Sequence, residues 1–360
     1  MGRNPVWTSS PHLLDVGATT AEKLNPVLQR QNHLGDLLEK TGLLEFDFPV
    51  LHSLRNDFLP ALSDQIVRGS KNIGVIFFEN TDFSEDGLAR AREYDLIVTG
   101  STWNEEILEA RGLTHVVNVF QGIDDSIFRP ARVEDQYPGR FVIFSGGKLE
   151  YRKAQDAVIA AFREFQRSHE DALLLCAWAN QWPGIMPTIA RSQFVEGAPN
   201  IADDGALQIT SWLLANGLPE GSFLDLGMPP NKDIPGILAA ADASIFPNRC
   251  EPGTNLVAME AMAAGLPVIL SANTGHLDLI EDGNCYVLSR QTPVKPYGPY
   301  TGTEGWREPD VDEVLAHLHA IYDDRDEAAR RGQAAAKTLI QFSWQGQIAK
   351  LTAHVDSLTG

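Results

Sequence analysis

The chain has 360 residues, of which 43% are apolar and 21% charged, an ordinary composition for a globular protein with room for two domains. Its formal net charge of −19 argues against nucleic-acid binding, which depends on Lys and Arg that neutralise phosphates. We find no apolar run of about 18 residues that could cross a bilayer and no basic amphipathic helix that would hold the chain on a membrane. Any bound phosphate must therefore be held by a few placed cations and backbone amides.

The N-terminal residues MGRNPVWTSSPHLLDVG lack the basic and then apolar pattern of an export signal. The three cysteines, Cys176, Cys250 and Cys285, lie in apolar or strand-like stretches. Their odd number favours reduced, mostly buried thiols over a disulfide framework. We therefore expect a cytoplasmic protein without a strong membrane anchor.

Short apolar runs alternate with helix-length segments along most of the chain. The predicted strands are residues 72–78, 94–101, 115–122, 140–147, 172–179, 222–227, 243–248, 267–271 and 285–289. Continuous apolar strands separated by helices predict parallel sheets that are covered on both faces. The expected fold class is α/β, with doubly wound sheets.

Two polar segments divide this pattern. Residues 128–139 contain two prolines between strand-like runs and predict the domain boundary, with domains over residues 1–130 and 131–345. Residues 289–309 contain too much Pro and Gly for regular structure and predict a surface loop. Asp310 and Glu313 have the spacing of a capping box, which favours a helix start over a metal-binding carboxylate pair.

The segment FSGGKLEYRKAQDAVIAAF predicts a strand, a turn at Gly146 and Gly147, and a helix with a basic start. Adjacent glycines allow a backbone to approach a ligand closely, and a helix N-terminus favours an anion. Lys148 and Lys153 bracket this helix start, with Arg152 as a third cation. A helix with solvated surface lysines fits the segment as well, and neither a P-loop nor a G-x-G-x-x-G fingerprint is present.

The segment PNRCEPGTNLVAMEAMAAGLPVIL predicts a strand end, a turn, a helix that stops at Gly265, and a second buried strand. Glu251 is expected at the ligand-facing edge of the sheet. Glu260 interrupts an apolar helix surface, and a half-buried carboxylate needs a partner such as a ligand hydroxyl or a cation. A solvent-facing Glu260 is disfavoured, because Met259, Ala261 and Met262 are expected to pack.

Together with SANTGHLDLIEDGNCYVLS and FSWQGQIAKL, these segments resemble the "group 1" family of retaining nucleotide-sugar glycosyltransferases (glycosyltransferase family 4). The resemblance covers residues 73–130 and 141–280 and implies the GT-B fold, in which two Rossmann-like domains face each other across a cleft. It further implies a short acceptor domain over residues 1–130, a nucleotide-sugar domain over 131–345, and a closing helix over 346–360 that returns towards the N-terminal domain.

The resemblance also implies roles for individual residues. Lys148 and Lys153 would bind the diphosphate, Glu251 would address the donor sugar near its reacting carbon, and these three form the expected catalytic set. Glu260 would accept hydrogen bonds from ribose hydroxyls. The other expected nucleotide-sugar contacts are Gly146, Gly147, Gly227, Gly253, Thr254, Asn255 and Leu256. Cations at a leaving diphosphate and hydroxyl-binding groups at an oxocarbenium-like sugar suit this chemistry.

The sequence departs from the family in three places. Eight residues separate Glu251 from Glu260 where seven are usual, and we expect the turn at residues 252–254 to bulge outward and absorb the extra residue. Residues 3–20, RNPVWTSSPHLLDVGATT, lack the glycine-rich loop that most members carry near their first strand. Glu79 and Asn80 stand where a His is frequent, and His52 is a further cleft candidate, although a lone His after a strand is more often structural.

We expect an enzyme that moves a hexose from a nucleoside diphosphate sugar to a glycan, lipid-linked or small-molecule acceptor, without a cofactor or metal, since no His/Cys/Asp cluster has ligand spacing. A second hypothesis is a GT-B epimerase. Such chemistry needs acid and base residues on both domains, and the sequence shows no surplus of them. A third is a catalytically degenerate GT-B protein that binds sugar nucleotides or serves as a partner subunit. The short N-terminal half favours that third reading, and the joint presence of both lysines and both glutamates opposes it.

Overall fold

A computed structural model describes residues 18–60, 66–131, 136–180, 182, 184–203 and 205–359. The α-helices in these ranges are α1 Ala18–Thr41, α2 Glu85–Ala91, α3 Thr102–Ala110, α4 Gln155–Ser168, α5 Ile209–Ala215, α6 Ile234–Ala239, α7 Leu256–Ala263, α8 Val311–Asp323, α9 Arg325–Leu339 and α10 Trp344–Ser357. None of these helices is both long enough and apolar enough to cross a membrane.

The β-strands in the same ranges form two large sheets and two small two-stranded ones. They are β1 Leu43–Glu45, β2 Val50–Arg55, β3 Leu59–Pro60, β4 Ile66–Arg68, β5 Asn72–Ile76, β6 Leu96–Thr99, β7 Val116–Asn118, β8 Phe141–Lys148, β9 Ala172–Ala179, β10 Phe223–Asp225, β11 Ala243–Phe246, β12 Val268–Ser271, β13 Tyr286–Leu288, β14 Gln291–Pro293 and β15 Arg307–Pro309.

The N-terminal sheet has the strand order β3-β2-β5-β6-β7. Strands β2, β5, β6 and β7 are parallel, and β3 pairs antiparallel with β2 at the edge. The three strands predicted in this half form β5, β6 and β7, each shorter than its apolar run. They are parallel because the chain crosses over through helices such as α2 and α3, whose N-termini are capped by Ser84 and Ser101.

The second sheet has six parallel strands in the order β10-β9-β8-β11-β12-β13. Apolar layers cover both faces, with α4 and α8 on one side and α7 and α9 on the other. This explains why the predicted strands are continuously apolar instead of alternating. The strand order reverses between β8 and β11, and that reversal defines a doubly wound Rossmann-like domain. The predicted α/β fold class is confirmed.

The last helix, α10, packs against the N-terminal sheet although it follows the second domain in the chain. Val355 lies in one buried cluster with Ile73, Leu96 and Val98, and Ser343, whose hydroxyl caps α10, forms a bridge with Ile123. The chain therefore crosses between the two sheets twice. The domain limits at residues 130 and 345 stay predictions.

The predicted surface loop at residues 289–309 is wrong, and we call this segment the interdomain loop. Strands β14 and β15 form an antiparallel ribbon at its base, and Tyr297, Tyr300 and Trp306 are buried in a cluster with residues of the N-terminal domain such as Phe78 and Trp103. Pro and Gly limited the regular structure, as expected, but Val294 and the three aromatic side chains supply apolar surface that the domains bury.

Two smaller predictions are confirmed. Asp310 caps α8 by accepting a hydrogen bond from the Glu313 backbone at 3.1 Å. Cys176, Cys250 and Cys285 are free and buried, and burial raises the pKa of the Cys285 thiol to about 12. Protonated, enclosed thiols of this kind are chemically inert at neutral pH.

Candidate functional site

The candidate site lies at the carboxyl ends of β8 and β11, the central strands of the second sheet. Their neighbours extend in opposite directions, β9 and β10 beside β8 and β12 and β13 beside β11. A doubly wound sheet opens a crevice at such a reversal, because the connections leave towards opposite faces. Lys148 is the last residue of β8, and Glu251 lies in the turn that follows β11.

The predicted turn at Gly146 and Gly147 is wrong, because both glycines lie inside β8 and pair with β9. A Cβ at Gly146 would approach the Phe144 ring to 2.7 Å and Val257 to 2.9 Å. The missing side chain therefore lets the strand pass close to the start of α7. The chain turns later, through a 3-10 helix at Tyr151–Lys153 that leads into α4.

Lys148 is exposed and lies in a cleft between the two domains. Its ammonium nitrogen is 4.5 Å from the centre of the Trp182 ring, a cation–π geometry. The cleft has a volume of about 160 Å³ and is lined by both domains and by the interdomain loop. Lys148 can therefore reach a ligand in the cleft without first breaking a salt bridge of its own, since no Lys148 ion pair occurs among the described residues.

Lys153 and Glu251 form a buried ion pair. The Lys153 Nζ donates to Glu251 Oε1 at 2.5 Å, and their side chains are 10% and 4% exposed. Asn248 donates to the same carboxylate, and the Glu251 backbone N–H donates to Thr274 Oγ1 at 2.8 Å. These contacts fix the direction of Glu251 at the edge of the sheet. Glu251 thus does not face bulk solvent.

The charges of this pair are set by competition between burial and neighbouring ions. Burial disfavours the Glu251 carboxylate, but the Lys153 and Arg152 charges outweigh it and lower the pKa of Glu251 to about 2. Burial lowers the pKa of Lys153, and Glu251 opposes that shift. The site therefore contains an ionised Glu251 paired with Lys153 and Arg152. An anionic ligand could share these cations with Glu251.

Arg152 joins the two domains at the centre of this cluster. Its guanidinium lies 2.6 Å from Glu150, 3.3 Å from Glu251 and 3.6 Å from Glu79 of the N-terminal domain. Its side chain is 2% exposed, and it also donates to the Cys250 carbonyl at 2.8 Å. Burial would lower the pKa of Arg152, but the surrounding carboxylates raise it. Its role is to hold Glu251 in place rather than to offer a free cation.

Arg249 is a further buried cation that sequence reasoning missed. It forms a two-pronged ion pair with Asp156 at 2.8 and 2.6 Å, contacts both oxygens of Glu308, and stacks over Tyr151 at 3.7 Å. This network ties the turn after β11 to the start of α4 and to the interdomain loop. The sequence signal was an arginine between a strand and the Glu251 turn, where solvated charge is not expected.

The turn from Pro252 to Asn255 packs between the two domains, so it does not bulge towards solvent. Gly253 and Thr254 are buried, and the Ser101 hydroxyl of the N-terminal domain donates to the Pro252 carbonyl at 2.7 Å. A Cβ at Gly275 would overlap the Gly253 carbonyl oxygen, so glycine is required there. The extra residue between the glutamates is therefore absorbed at the domain contact.

The start of α7 is held by Asn255 and a second missed residue, His276. Asn255 has φ of 64° and caps the helix that begins at Leu256, and its amide lies 3.1 Å from His276 Nε2. Burial lowers the pKa of His276 to about 4, so the ring is neutral at pH 7 and Nε2 can accept this hydrogen bond. The turn amides are thereby fixed in direction.

Glu260 is half-buried on α7, between the buried side chains of Met259 and Ala261, as expected from the sequence. Burial raises its pKa to about 7. No ion pair to Glu260 occurs among the described residues. The expected contact of Glu260 with ribose hydroxyls stays a prediction.

Gly227 lies apart from these residues, in the turn after the edge strand β10. It has φ of 57°, and its backbone N–H donates to Asp225 at 3.0 Å. His52 lies 3.0 Å from Asn72 Oδ1 and against the Tyr94 ring within the N-terminal sheet, a structural position. Asn80 accepts a hydrogen bond from Gly302 of the interdomain loop at 2.7 Å, while the Glu79 side chain faces the cleft.

Two α/β domains with parallel sheets that meet across a crevice of this kind form the GT-B fold, as predicted. Two solved structures share it at low identity. Sucrose-phosphate synthase from Thermosynechococcus elongatus is 16% identical with a TM-score of 0.61, covering 94% of this chain and 79% of that one. HepE of Anabaena, solved with UDP and glucose, is 16% identical with a TM-score of 0.59, covering 81% and 72%.

Sequence comparisons add the family. The family model of glycosyl transferases group 1 matches residues 129–297, and a glycogen synthase of Mycobacterium tuberculosis is 30% identical over 273 residues. That alignment covers 73% of this chain and 54% of the relative, so the chain spans about half the length of the curated relative it matches. The chain belongs to the group 1 glycosyltransferases through the domain that contains residues 129–297.

Proposed function

We propose that the protein is a retaining glycosyltransferase that moves a hexosyl group from a nucleoside diphosphate sugar to an acceptor hydroxyl. The observation that carries the proposal is the buried Lys153–Glu251 pair at the strand reversal, with Lys148 exposed in the adjoining cleft. The two lysines offer cations to a leaving diphosphate, and Glu251 offers an oriented acceptor to the sugar. The cytoplasm is the proposed location, where donor and protein would meet.

In the proposed reaction the bond between the anomeric carbon and the diphosphate oxygen breaks, and its electron pair stays on the diphosphate. The acceptor oxygen bonds to the same face of the anomeric carbon, and its proton passes to the diphosphate. Negative charge grows at the lysines while positive charge grows near Glu251. Both changes are favoured by groups already fixed in position, so little reorganisation is needed.

The donor end of the site is proposed to follow α7. The backbone amides of Gly253, Thr254, Asn255 and Leu256 face the sugar phosphate, and Glu260 accepts hydrogen bonds from the ribose. Gly147 leaves room at the end of β8, because a Cβ there would meet only the Lys153 side chain at 4.0 Å, whereas the space beside Gly146 is filled by Phe144 and Val257. Gly227, in the turn after β10, stays a proposed contact of the nucleotide. Because a relative of the same fold was solved with UDP and glucose, UDP-glucose is the first donor to test.

The test measures release of nucleoside diphosphate from UDP-glucose, ADP-glucose, GDP-mannose and UDP-N-acetylglucosamine, with mixed saccharides as acceptors. We expect one donor to be consumed and its product to keep the anomeric configuration by NMR. A Lys148→Ala, Lys153→Ala double variant is the matched control and should release none. Nucleotide binding without turnover for every donor would favour the sugar-nucleotide-binding subunit instead.

A further inference from the structure

The cleft beside Lys148 has the composition of a small carbohydrate site. On one wall Trp182 is 55% exposed, with its backbone N–H bonded to Asn180 Oδ1 at 2.8 Å. The Asn180 amide in turn donates to the Leu149 carbonyl at 2.9 Å. The indole is thus presented on a braced turn that follows β9. A flat, exposed aromatic ring beside polar groups suits the C–H face of a sugar.

The opposite wall supplies hydroxyl partners from the N-terminal domain. Glu79 and Asn56 line the cleft there, and the Glu79 side chain is 22% exposed. Its ion pair with Arg152 is 3.6 Å long, beyond hydrogen-bonding length, so its oxygens can accept from a ligand. By contrast, the Glu150 carboxylate in the same cleft is taken by Arg152 at 2.6 Å and by the Tyr300 hydroxyl.

The charges that line the cleft and the volume of the cleft limit which ligands can bind there. Two carboxylates, Glu79 and Glu150, line the cleft against one ammonium, Lys148, so a further anion would be repelled. The volume of about 160 Å³ is below the roughly 300–1,000 Å³ of pockets that enclose drug-sized ligands. A single neutral ring with hydroxyls fits both limits.

We propose that this cleft is the acceptor subsite. When Lys148, whose ammonium lies 4.5 Å from the centre of the Trp182 ring, turns to the donor diphosphate, one neutral sugar ring stacks on Trp182 with its hydroxyls on Glu79 and Asn56. The inference rests on the proposed function, since Lys148 lies at the junction of this cleft with the donor diphosphate. The acceptor is therefore bound in large part by the nucleotide-sugar domain and by the interdomain loop. Trp182 becomes a specificity-determining residue.

The test uses the full chain and two probes, methyl α-D-glucopyranoside and methyl α-D-mannopyranoside, with saturating UDP. Binding is followed by saturation-transfer NMR. The wild type should bind at least one probe, with the strongest transfer to ring C–H protons. Trp182→Ala should raise the dissociation constant about tenfold, and Trp182→Phe only about threefold, because the smaller ring keeps part of the stacking surface. Trp344→Ala removes a 46% exposed indole from α10 and should bind like the wild type.

Three results would overturn the assignment. These are no binding of either probe by the wild type, unchanged binding by Trp182→Ala, or loss of UDP binding in Trp182→Ala, which would put the indole in the donor site. Titration of the wild type with UDP, ADP and GDP keeps the two proposals apart. A wild type that binds none of these nucleotides defeats the proposed function, whereas failure of the probes alone defeats only the acceptor subsite.

Discussion

The Lys153 ammonium lies 2.5 Å from the Glu251 carboxylate, although the two residues belong to different strand-to-helix connections of the second sheet. The pair exists because both connections open at the strand reversal between β8 and β11. The pair keeps the Lys153 cation beside the proposed diphosphate site, and neither buried charge is left without a partner of opposite sign. A donor diphosphate would then share Lys153 with Glu251.

Replacing Lys153 or Lys148 with Ala should separate catalysis from stability. Each variant should lose about 10²–10³-fold in turnover, the scale for one electrostatic donor to a developing anion. Lys153→Ala should also lower the free energy of unfolding by up to about 3 kcal/mol, because Glu251 stays buried with less compensation. Lys148 is exposed, so Lys148→Ala should change stability by less than about 0.5 kcal/mol. Urea unfolding and single-turnover kinetics measure both effects, and normal turnover in both variants would remove the diphosphate role.

Glu251→Gln should mainly lower kcat and leave the donor KM close to that of the wild type. The Glu251 carboxylate attracts the sugar most strongly once positive charge has grown on the sugar. An interaction made chiefly in the transition state appears in kcat. A loss of at least about 100-fold is expected for one such group. Glu164→Gln on the exposed face of α4 is the control. A Glu251→Gln variant with normal kcat would place Pro252 at the family position instead.

The sequence predicted the second sheet and the position of Glu251 because both follow from local pattern. Continuous apolar runs define β8 and β11, and parallel strands bring their carboxyl ends to one edge. The burial of Glu251 under Lys153 could not be predicted, because it depends on which face each connection covers. The roles of Lys148, Lys153 and Glu260 stay predictions that the variants above and below test.

Arg249 and the interdomain loop show why other parts of the site and the fold could not be predicted from the sequence. The partners of Arg249 are Asp156 and Glu308, which are distant in the chain, so no local pattern reports its ion pairs. In residues 289–309, Pro and Gly correctly indicated irregular backbone, but irregular backbone was equated with surface. The buried Tyr297 and Trp306 show that aromatic content was the better guide.

Excess EDTA should leave transferase activity essentially unchanged. The proposed site neutralises the diphosphate with Lys148, Lys153 and turn amides, so a divalent cation has no essential task. Among the described residues, no group of three or more His, Cys, Asp or Glu side chains is arranged to hold a metal ion. Activity is compared with and without chelator on the donor that the panel identifies. Strict dependence on Mn²⁺ or Mg²⁺ would require a carboxylate site that includes other residues.

The interdomain loop should hold the two domains together. Gly302 accepts a hydrogen bond from the Thr81 backbone at 3.1 Å, and a Cβ there would overlap the Asp82 nitrogen. Trp306 Nε1 donates to the Glu79 carbonyl at 3.0 Å. Gly302→Val should therefore destabilise the protein by about 1–3 kcal/mol through overpacking, with faster proteolysis within the loop.

The matched control for this prediction is Gly236→Ala, since nothing lies within 4 Å of a Cβ at Gly236. Thermal unfolding and limited trypsin digestion compare the two variants with the wild type. Equal melting temperatures for Gly302→Val and the wild type would show that the loop does not fasten the domains.

Glu260 should make both stability and nucleotide binding depend on pH. Its pKa rises from 4.5 to about 7 on folding because the carboxyl is buried. The folded protein therefore holds the proton more tightly than the unfolded chain, and the free energy of unfolding falls as pH rises between these values. Glu260→Gln should lose this fall, worth about 2–3 kcal/mol between about pH 4.5 and 7. Urea unfolding at several pH values in this window measures the difference.

Nucleotide binding should release the same proton. Ribose hydroxyls that donate to Glu260 favour its ionised form and lower its pKa, so UDP binding at about pH 6.5 should release a fraction of one proton. Calorimetry in two buffers of different ionisation enthalpy measures this release. Glu260→Gln should bind UDP more weakly and lose the Glu260 contribution to proton release, because an amide does not titrate. A Glu260→Gln variant with wild-type affinity and wild-type proton release would show that Glu260 does not contact the ribose, and the half-buried carboxylate would need another partner.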